Sequence, residues 1–172
     1  MKVVSKTAIR FFAFLLGFTL SLFVAASSDP ERQKLPEFTL SDYQGQTVDI
    51  AQYNGKLVLV NFWASWCPPC VHEFPSIQAL KTSFENEPFE ILGVNMGEDA
   101  ELIELFADGL GDPINFPLLV DESMSVASSW EIRGLPTTIL VNKKGEEIFR
   151  FIGPKDWNSE EVREEIQRYF SE

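Results

Sequence analysis

The chain has 172 residues, 45% of them hydrophobic, and a formal net charge of −12. That length can bury one sizeable core, so we expect a single folded domain. The acidic balance argues against partners such as nucleic acid or anionic lipid headgroups, because both are bound through clustered lysine and arginine.

The N-terminal segment has the composition of an export signal. Lys2, Lys6 and Arg10 precede an apolar run over residues 11–26, which ends in small residues. The run is shorter than the ~20 residues that a spanning helix needs, which favours cleavage after Ala26 over retention as an N-terminal membrane anchor. A buried core helix is the third interpretation. We therefore expect a periplasmic or otherwise extracytoplasmic protein, soluble after signal cleavage or tethered through residues 11–26.

The next elements are a lead and the start of the domain. Residues 27–35 are polar and charged and predict a flexible lead, so the expected domain comprises residues 36–172. Two short extended segments on either side of Gly45 predict an N-terminal hairpin, namely Phe38–Leu40 and Thr47–Ile50. Leu57–Trp63 is a near-continuous β-branched and aromatic run, which is typical of a central strand covered on both faces.

Helical and extended patterns alternate after that strand. Apolar residues recur at spacings of three and four from Cys67 to Phe84, which predicts a helix. The remaining predicted elements are, in chain order, a strand (Phe89–Asn95), a helix (Asp99–Leu110), a strand (Phe116–Val120), a short helix (Met124–Trp130), a hairpin of two strands (Thr137–Asn142 with Glu147–Ile152) and a final helix (Ser159–Phe170). This order predicts an α/β protein with a mixed sheet flanked by helices.

The two cysteines of the chain both lie in the segment Trp66-Cys67-Pro68-Pro69-Cys70. With no other thiol in the sequence, neither cysteine can belong to a second bridge or to a four-sulfur metal cage. A structural disulfide stabilises most when it closes a long loop, and this pair would close a very short one. The pair is therefore predicted to be a redox-active disulfide that opens and closes.

The position of the pair predicts a role for each sulfur. The strand before it delivers Cys67 to the start of a helix, where N–H groups and the helix dipole favour a thiolate, the reactive form of cysteine. Cys70 lies one turn deeper on the same face and can resolve a mixed disulfide formed by Cys67. Pro68 and Pro69 fit the first helical turn but remove two N–H donors, which limits stabilisation of the thiolate and favours a more reducing couple.

Three residues near the cysteine pair are candidates for further roles. Glu73 is either a partly desolvated carboxyl that exchanges a proton with Cys70 or an acid that favours the helix dipole. His72, the one histidine, points off the buried face and is expected to be exposed. Trp66, beside the nucleophile, is a candidate substrate platform. We expect neither a bound metal nor a cofactor.

These motifs together resemble the thioredoxin-like superfamily, and specifically its exported TlpA/ResA/CcmG branch of membrane-linked thiol-disulfide oxidoreductases. The resemblance rests, in chain order, on Asn61–Cys70, Glu73 and Pro75, Gly134–Thr138, and Lys144-Gly145. It covers residues from about Leu35 to Phe170. It implies a thioredoxin fold with an N-terminal β-hairpin and a central insertion at about residues 97–130.

The resemblance also implies residue roles. Pro136 would be cis and face the disulfide, and the adjacent residues Leu135 and Thr137 would complete a substrate-binding segment in which the backbone of Leu135 pairs with a client strand. Cytosolic thioredoxins have a buried aspartate at the position of Asn61. In the exported branch a glutamate at the position of Glu73 serves instead, which favours the proton-transfer interpretation of Glu73.

The leading hypothesis is a monomeric exported enzyme that reduces disulfides in client proteins and receives electrons from a membrane thiol-disulfide carrier. Candidate clients are apocytochromes c and copper-site proteins. Thr137 stands where members dedicated to cytochrome c maturation often carry an acid, which favours a general reductase. Two alternatives remain open: a Cu(I)-binding module with Cys67 and Cys70 as soft ligands, and an oxidase that forms disulfides.

Overall fold

The structure, a computed structural model, describes residues 32–171. The predicted signal or anchor segment and the first part of the predicted lead lie outside the described residues. At the end of that lead, Leu35 is buried and its amide donates a hydrogen bond to the carbonyl of Gly145 at 3.0 Å. Between residues 32 and 171, no helix has both the length and the apolar composition that crossing a membrane requires.

A mixed sheet of five strands forms the centre of the fold. Its strands are β3 (Leu57–Trp63), β4 (Phe89–Met96), β5 (Leu118–Asp121), β6 (Thr137–Val141) and β7 (Glu147–Ile152). Their spatial order is β5-β4-β3-β6-β7, in which β3, β4 and β5 are parallel and β6 and β7 are antiparallel to their neighbours. Every residue of β3 is buried, which confirms the predicted central strand.

Between residues 32 and 171, four α-helices accompany the sheet: α1 (Pro68–Ser83), α2 (Ala100–Gly109), α3 (Ser125–Ser129) and α4 (Glu160–Arg168). Side chains alternate along β3, so Leu59 and Trp63 pack in a cluster with α1, α2 and α4, whereas Val60 and Phe62 pack in a second cluster with α3 and the N-terminal hairpin. Both faces of the sheet are therefore covered. This explains why its central strand is apolar at every position except Asn61.

The N-terminal hairpin consists of β1 (Thr39–Ser41) and β2 (Thr47–Asp49), with Gly45 at a φ of 82° in the turn. The prediction that β2 includes Ile50 is wrong. Asp49 accepts a hydrogen bond from the amide of Ala51 at 2.9 Å, and this cap starts a short 3-10 helix, Ile50–Tyr53. An isolated bridge between Asp42 and Leu119 joins the hairpin to β5.

The other predicted elements are present with shifted ends. Asp99 is the N-cap of α2, because its side chain accepts a hydrogen bond from the amide of Leu102, and Ser159 caps α4 in the same way. The strand predicted from Phe116 begins at Leu118, after Pro117, a residue without a backbone donor. The predicted central insertion contains α2, β5 and α3. The architecture is thus the expected thioredoxin fold with its hairpin.

Candidate active site

Cys67 and Cys70 form a disulfide at the start of α1. Cys67 is the N-cap of this helix, with an extended φ of −99°. It is 5% exposed, whereas Cys70 is 0% exposed. Cys67 therefore keeps some solvent contact whereas Cys70 has none, which is the arrangement expected of an attacking and a resolving cysteine.

Pro68 and Pro69 occupy the first two positions of α1, as predicted. Neither residue has an amide hydrogen, and the amide of Val71 donates to the carbonyl of Cys67 at 3.2 Å. The first helical turn therefore offers few donors to a thiolate on Cys67. A poorly stabilised thiolate disfavours the reduced dithiol and lowers the reduction potential.

Pro69→His is expected to raise the reduction potential by about 30 mV or more, which corresponds to a tenfold change in the equilibrium constant. The substitution restores one N–H group and adds an imidazole, and both favour the Cys67 thiolate. The potential is measured by equilibration with glutathione redox buffers. Pro69→Ala separates the two contributions, because it restores the N–H group alone. An unchanged or more negative potential in Pro69→His would refute the argument.

Glu73 lies on α1, three residues after Cys70, and is 4% exposed. Its Oε1 accepts a hydrogen bond from Asn61 Nδ2 at 2.8 Å, and its Oε2 accepts from Trp157 Nε1 at 3.2 Å and from the Lys155 amide at 3.3 Å. Burial raises the pKa of Glu73 above its ordinary value, and these three hydrogen bonds oppose the rise without cancelling it. The carboxyl is therefore protonated more readily than a solvated one.

Asn61 links this carboxyl to the sheet. It is fully buried on β3, and its Nδ2 also donates to Thr138 Oγ1 at 2.9 Å. Its Oδ1 has no hydrogen-bond partner among residues 32–171. The amide can therefore rotate to offer its oxygen to a protonated neighbour, so it suits either charge state of Glu73.

A groove of about 460 Å³ opens beside Cys67. Apart from one arginine, its lining consists of apolar side chains, glycine and the cysteine: Trp66, Cys67, Pro68, Pro69, Met96, Met124, Ile132, Arg133, Gly134 and Leu135. Trp66 is 66% exposed there. The groove can thus accept an apolar segment of another chain next to the disulfide.

The peptide bond between Leu135 and Pro136 is cis, as the resemblance implies. Leu135 lines the groove. Pro136 and Thr137 are buried beside it, and Thr137 Oγ1 donates to the carbonyl of Gly134 at 2.7 Å. Of the predicted substrate-binding residues, Trp66 and Leu135 therefore line the groove. The Thr137 side chain stabilises the loop that contains Leu135.

A second opening, of about 480 Å³, reaches Glu73. Its other lining residues include His72, Ser76, Lys155 and Asp156, and His72 is exposed, as predicted. The buried carboxyl of Glu73 consequently borders solvent without facing the client groove. Between residues 32 and 171, no three histidine, cysteine or acidic side chains are grouped so that they could hold a metal ion.

Several site residues were not identified from the sequence. Lys155 and Trp157 donate to Glu73 from the loop between β7 and α4, and Met96, Met124 and Ile132 line the groove. No local motif marks these residues, because each resembles an ordinary loop or core residue. The weak signal that existed was the Gly134–Thr138 segment, which indicates a loop near the disulfide but not the loops facing it.

Comparison with known proteins assigns the chain to a family. It matches the Redoxin family over residues 30–166. It is 34% identical over 133 residues to the thiol-disulfide oxidoreductase ResA of Halalkalibacterium halodurans, covering 76% of this chain and 74% of that protein. It is also 34% identical over 133 residues to ResA of Bacillus subtilis, covering 76% and 73%.

Its fold is similar to that of a thiol:disulfide interchange protein of the thioredoxin family from Chlorobium tepidum, with a TM-score of 0.70, 21% identity, and coverage of 83% of this chain and 99% of that one. The family match, the identity to ResA proteins and the disulfide at the helix start agree with one another. The chain therefore belongs to the Redoxin family and is a thioredoxin-fold thiol-disulfide oxidoreductase of the ResA type.

Proposed function

We propose that this oxidoreductase acts as a reductase that opens disulfides in client proteins outside the cytoplasm. The observation that carries the proposal is the unequal exposure of the two cysteine residues, 5% for Cys67 and 0% for Cys70, with Cys67 lining an apolar groove. Such a site presents one sulfur to a client and withholds the other until the client is attached. The disulfide in the structure is the product state of this reaction.

The cycle starts from the dithiol form. The Cys67 thiolate attacks one sulfur of a client disulfide, so that a Cys67–client bond forms and the client's own S–S bond breaks. The released client thiolate takes up a proton. Cys70, once deprotonated, attacks the Cys67 sulfur, which forms the Cys67–Cys70 disulfide and releases the second client thiolate. Two electrons have then passed from the enzyme to the client.

Glu73 serves the second step as the proton acceptor for Cys70. It lies on the same helix three residues beyond this cysteine, and burial raises its pKa above that of a solvated carboxyl, which makes it a better proton acceptor. Its opening to solvent provides a route by which that proton leaves. When the disulfide is reduced again, the same carboxyl returns a proton to Cys70.

The groove and the cis-proline loop bind the client. An apolar client segment packs against Trp66 and Leu135, and the Leu135 backbone pairs with it as an added strand.

Candidate clients are apocytochromes c and copper-site proteins. A membrane thiol-disulfide carrier supplies the electrons, and the enzyme works as a monomer. Residues 1–26 direct it to the periplasmic or extracytoplasmic side as a cleaved signal or a membrane tether.

The test measures reduction of insulin disulfides with dithiothreitol as the electron source. Wild-type protein is expected to accelerate the reaction, and Cys67→Ala is expected to abolish the acceleration, because the remaining cysteine, Cys70, is fully buried. Ser128→Ala, an exposed change on α3, is the matched control and should retain wild-type rates. A reduction potential below about −200 mV is expected for a reductase.

Two outcomes would support the alternatives instead. A potential near −120 mV, together with oxidation of reduced clients, would indicate an enzyme that forms disulfides. Copper retained through purification without insulin reduction would indicate a Cu(I)-binding module in which Cys67 and Cys70 are the ligands.

A further inference from the structure

Glu98 is a buried carboxyl that the proposed redox cycle does not use. It is 6% exposed and lies just after β4, at the beginning of the central insertion. Its Oε2 accepts hydrogen bonds from Asn95 Nδ2 at 2.7 Å and from the Ser65 amide at 2.8 Å, and its Oε1 accepts from Ser65 Oγ at 2.5 Å. A buried carboxyl is costly unless it is hydrogen-bonded, so this residue must compensate its burial through these contacts.

Two of the three hydrogen bonds hold a single residue. Ser65 donates to Glu98 through both its amide and its side chain, which fixes its backbone as well as its rotamer. Ser65 immediately precedes Trp66 and Cys67, which form one wall of the client groove. Trp66 is largely exposed, so its placement depends on the residue that precedes it rather than on core packing.

The opposite wall is attached to the same segment. Met96 ends β4 two residues before Glu98. Met124 packs over Gly97, and its Sδ lies 3.7 Å from the position that a Cβ on Gly97 would occupy. The amides of Gly97 and Met124 both donate to the carbonyl of Asp121, at 3.1 and 2.9 Å. Glu98 therefore connects the methionine wall of the groove to the wall that carries the nucleophile.

We propose that Glu98 is a positioning residue that sets the width of the client groove, by holding Ser65 against the segment that carries Met96 and Met124. This inference rests on the proposed reductase function and adds a determinant of client choice to it. A groove of fixed width selects clients by the size of the apolar side chains beside their disulfide. A small disulfide reaches Cys67 without filling the groove and is not subject to this selection.

The test compares insulin with hydroxyethyl disulfide as substrates for Glu98→Ala. We expect the KM for insulin to rise about tenfold, since the change removes charge-assisted hydrogen bonds that hold one wall. The rate constant with hydroxyethyl disulfide is expected to stay within about twofold of the wild-type value. Glu98→Gln keeps an acceptor for the Ser65 amide and should recover most of the insulin KM. Glu104→Gln, an exposed change on α2, is the matched control.

Two results would overturn the inference while leaving the reductase function intact. In one, the insulin KM and the rate constant with hydroxyethyl disulfide are both unchanged in Glu98→Ala while its unfolding temperature falls. This result would make Glu98 a structural residue. In the other, activity falls equally with both substrates, which would mean that Glu98 acts on Cys67 itself.

If Glu98→Ala does not fold, a second variant, Ser65→Ala, tests the inference. It loses only the 2.5 Å hydrogen bond from Ser65 Oγ to Glu98 Oε1 and should raise the insulin KM about threefold. Wild-type protein that fails to reduce insulin would overturn the proposed function as well.

Discussion

Cys70→Ala is expected to accumulate mixed disulfides between Cys67 and client proteins. Cys67 remains at the mouth of the groove and can attack a client, but the buried sulfur that would release the client is gone. The lifetime of the mixed disulfide should increase by at least about a hundredfold, because only an external thiol can then resolve it. The adducts are measured as reducible bands on non-reducing gels after expression in the native compartment, and their partners are identified by mass spectrometry.

The matched control is Cys67→Ala, which keeps the fully buried Cys70 and removes the cysteine that lines the groove. It should form few adducts, because Cys70 is 0% exposed and client sulfurs cannot approach it. Equal trapping by the two variants would contradict the assignment of attacking and resolving roles. Trapped proteins also decide the client class: apocytochromes c or copper-site proteins would support the specialised clients, whereas a broad set would support a general reductase.

The parts of the fold that could be predicted are those determined by short-range patterns. The Leu57–Trp63 run predicts a central strand, because a strand covered on both faces must be largely apolar on both sides. The hydrophobic clusters on the two faces of the sheet confirm this prediction. The cysteine pair could be placed at a helix start because a strand ends just before it and helical spacing begins just after it. Both features are encoded in neighbouring residues.

The parts that could not be predicted depend on residues distant in sequence. Two of the three donors to Glu73, Lys155 and Trp157, lie 82 and 84 residues further along the chain. Nothing in the local sequence around Glu73 distinguished a buried proton acceptor from an exposed first-turn acid. The groove is similar, because Met96, Met124 and Ile132 are far apart in sequence from one another or from the cysteine loop and meet it only in the folded domain. The resemblance to a known family indicated a proton-transfer role for Glu73. Its burial and hydrogen-bond partners could be identified only from the structure.

In the proposed cycle, clients and protons use different openings of the site. The client groove contacts Cys67, and the second opening contacts Glu73, with Pro69 lining both. A client bound through a mixed disulfide therefore fills the groove without covering the carboxyl. Deprotonation of Cys70, which must occur while the client is still attached, can then proceed with solvent access. Under this proposal, a buried proton acceptor is compatible with repeated turnover.

Glu73→Gln is expected to slow the resolution step about a hundredfold at pH 7 and to shift the rate profile towards higher pH. Glutamine cannot accept the Cys70 proton, so deprotonation must rely on solvent hydroxide; general base catalysis is typically worth at least this factor. Rotation of the Asn61 amide, whose Oδ1 is otherwise unpartnered among residues 32–171, can accommodate the new side-chain NH₂ group. Stopped-flow measurement of client release from the Cys67 mixed disulfide across pH gives the profile, and an unaltered profile would count against the role.

The same variant allows an independent check on the buried carboxyl in the oxidised protein, where no thiol titrates. Burial raises the pKa of Glu73 in the folded state above the ordinary value of 4.5, so the folded chain binds this proton more tightly than the unfolded chain. The stabilisation is complete below the unfolded pKa, and it is lost as pH rises through the folded pKa. The free energy of unfolding of the wild type should therefore fall over that window relative to Glu73→Gln, as measured by urea titration. Parallel curves for the two proteins would show that Glu73 has an ordinary pKa, and its role as the proton acceptor would then lose its physical basis.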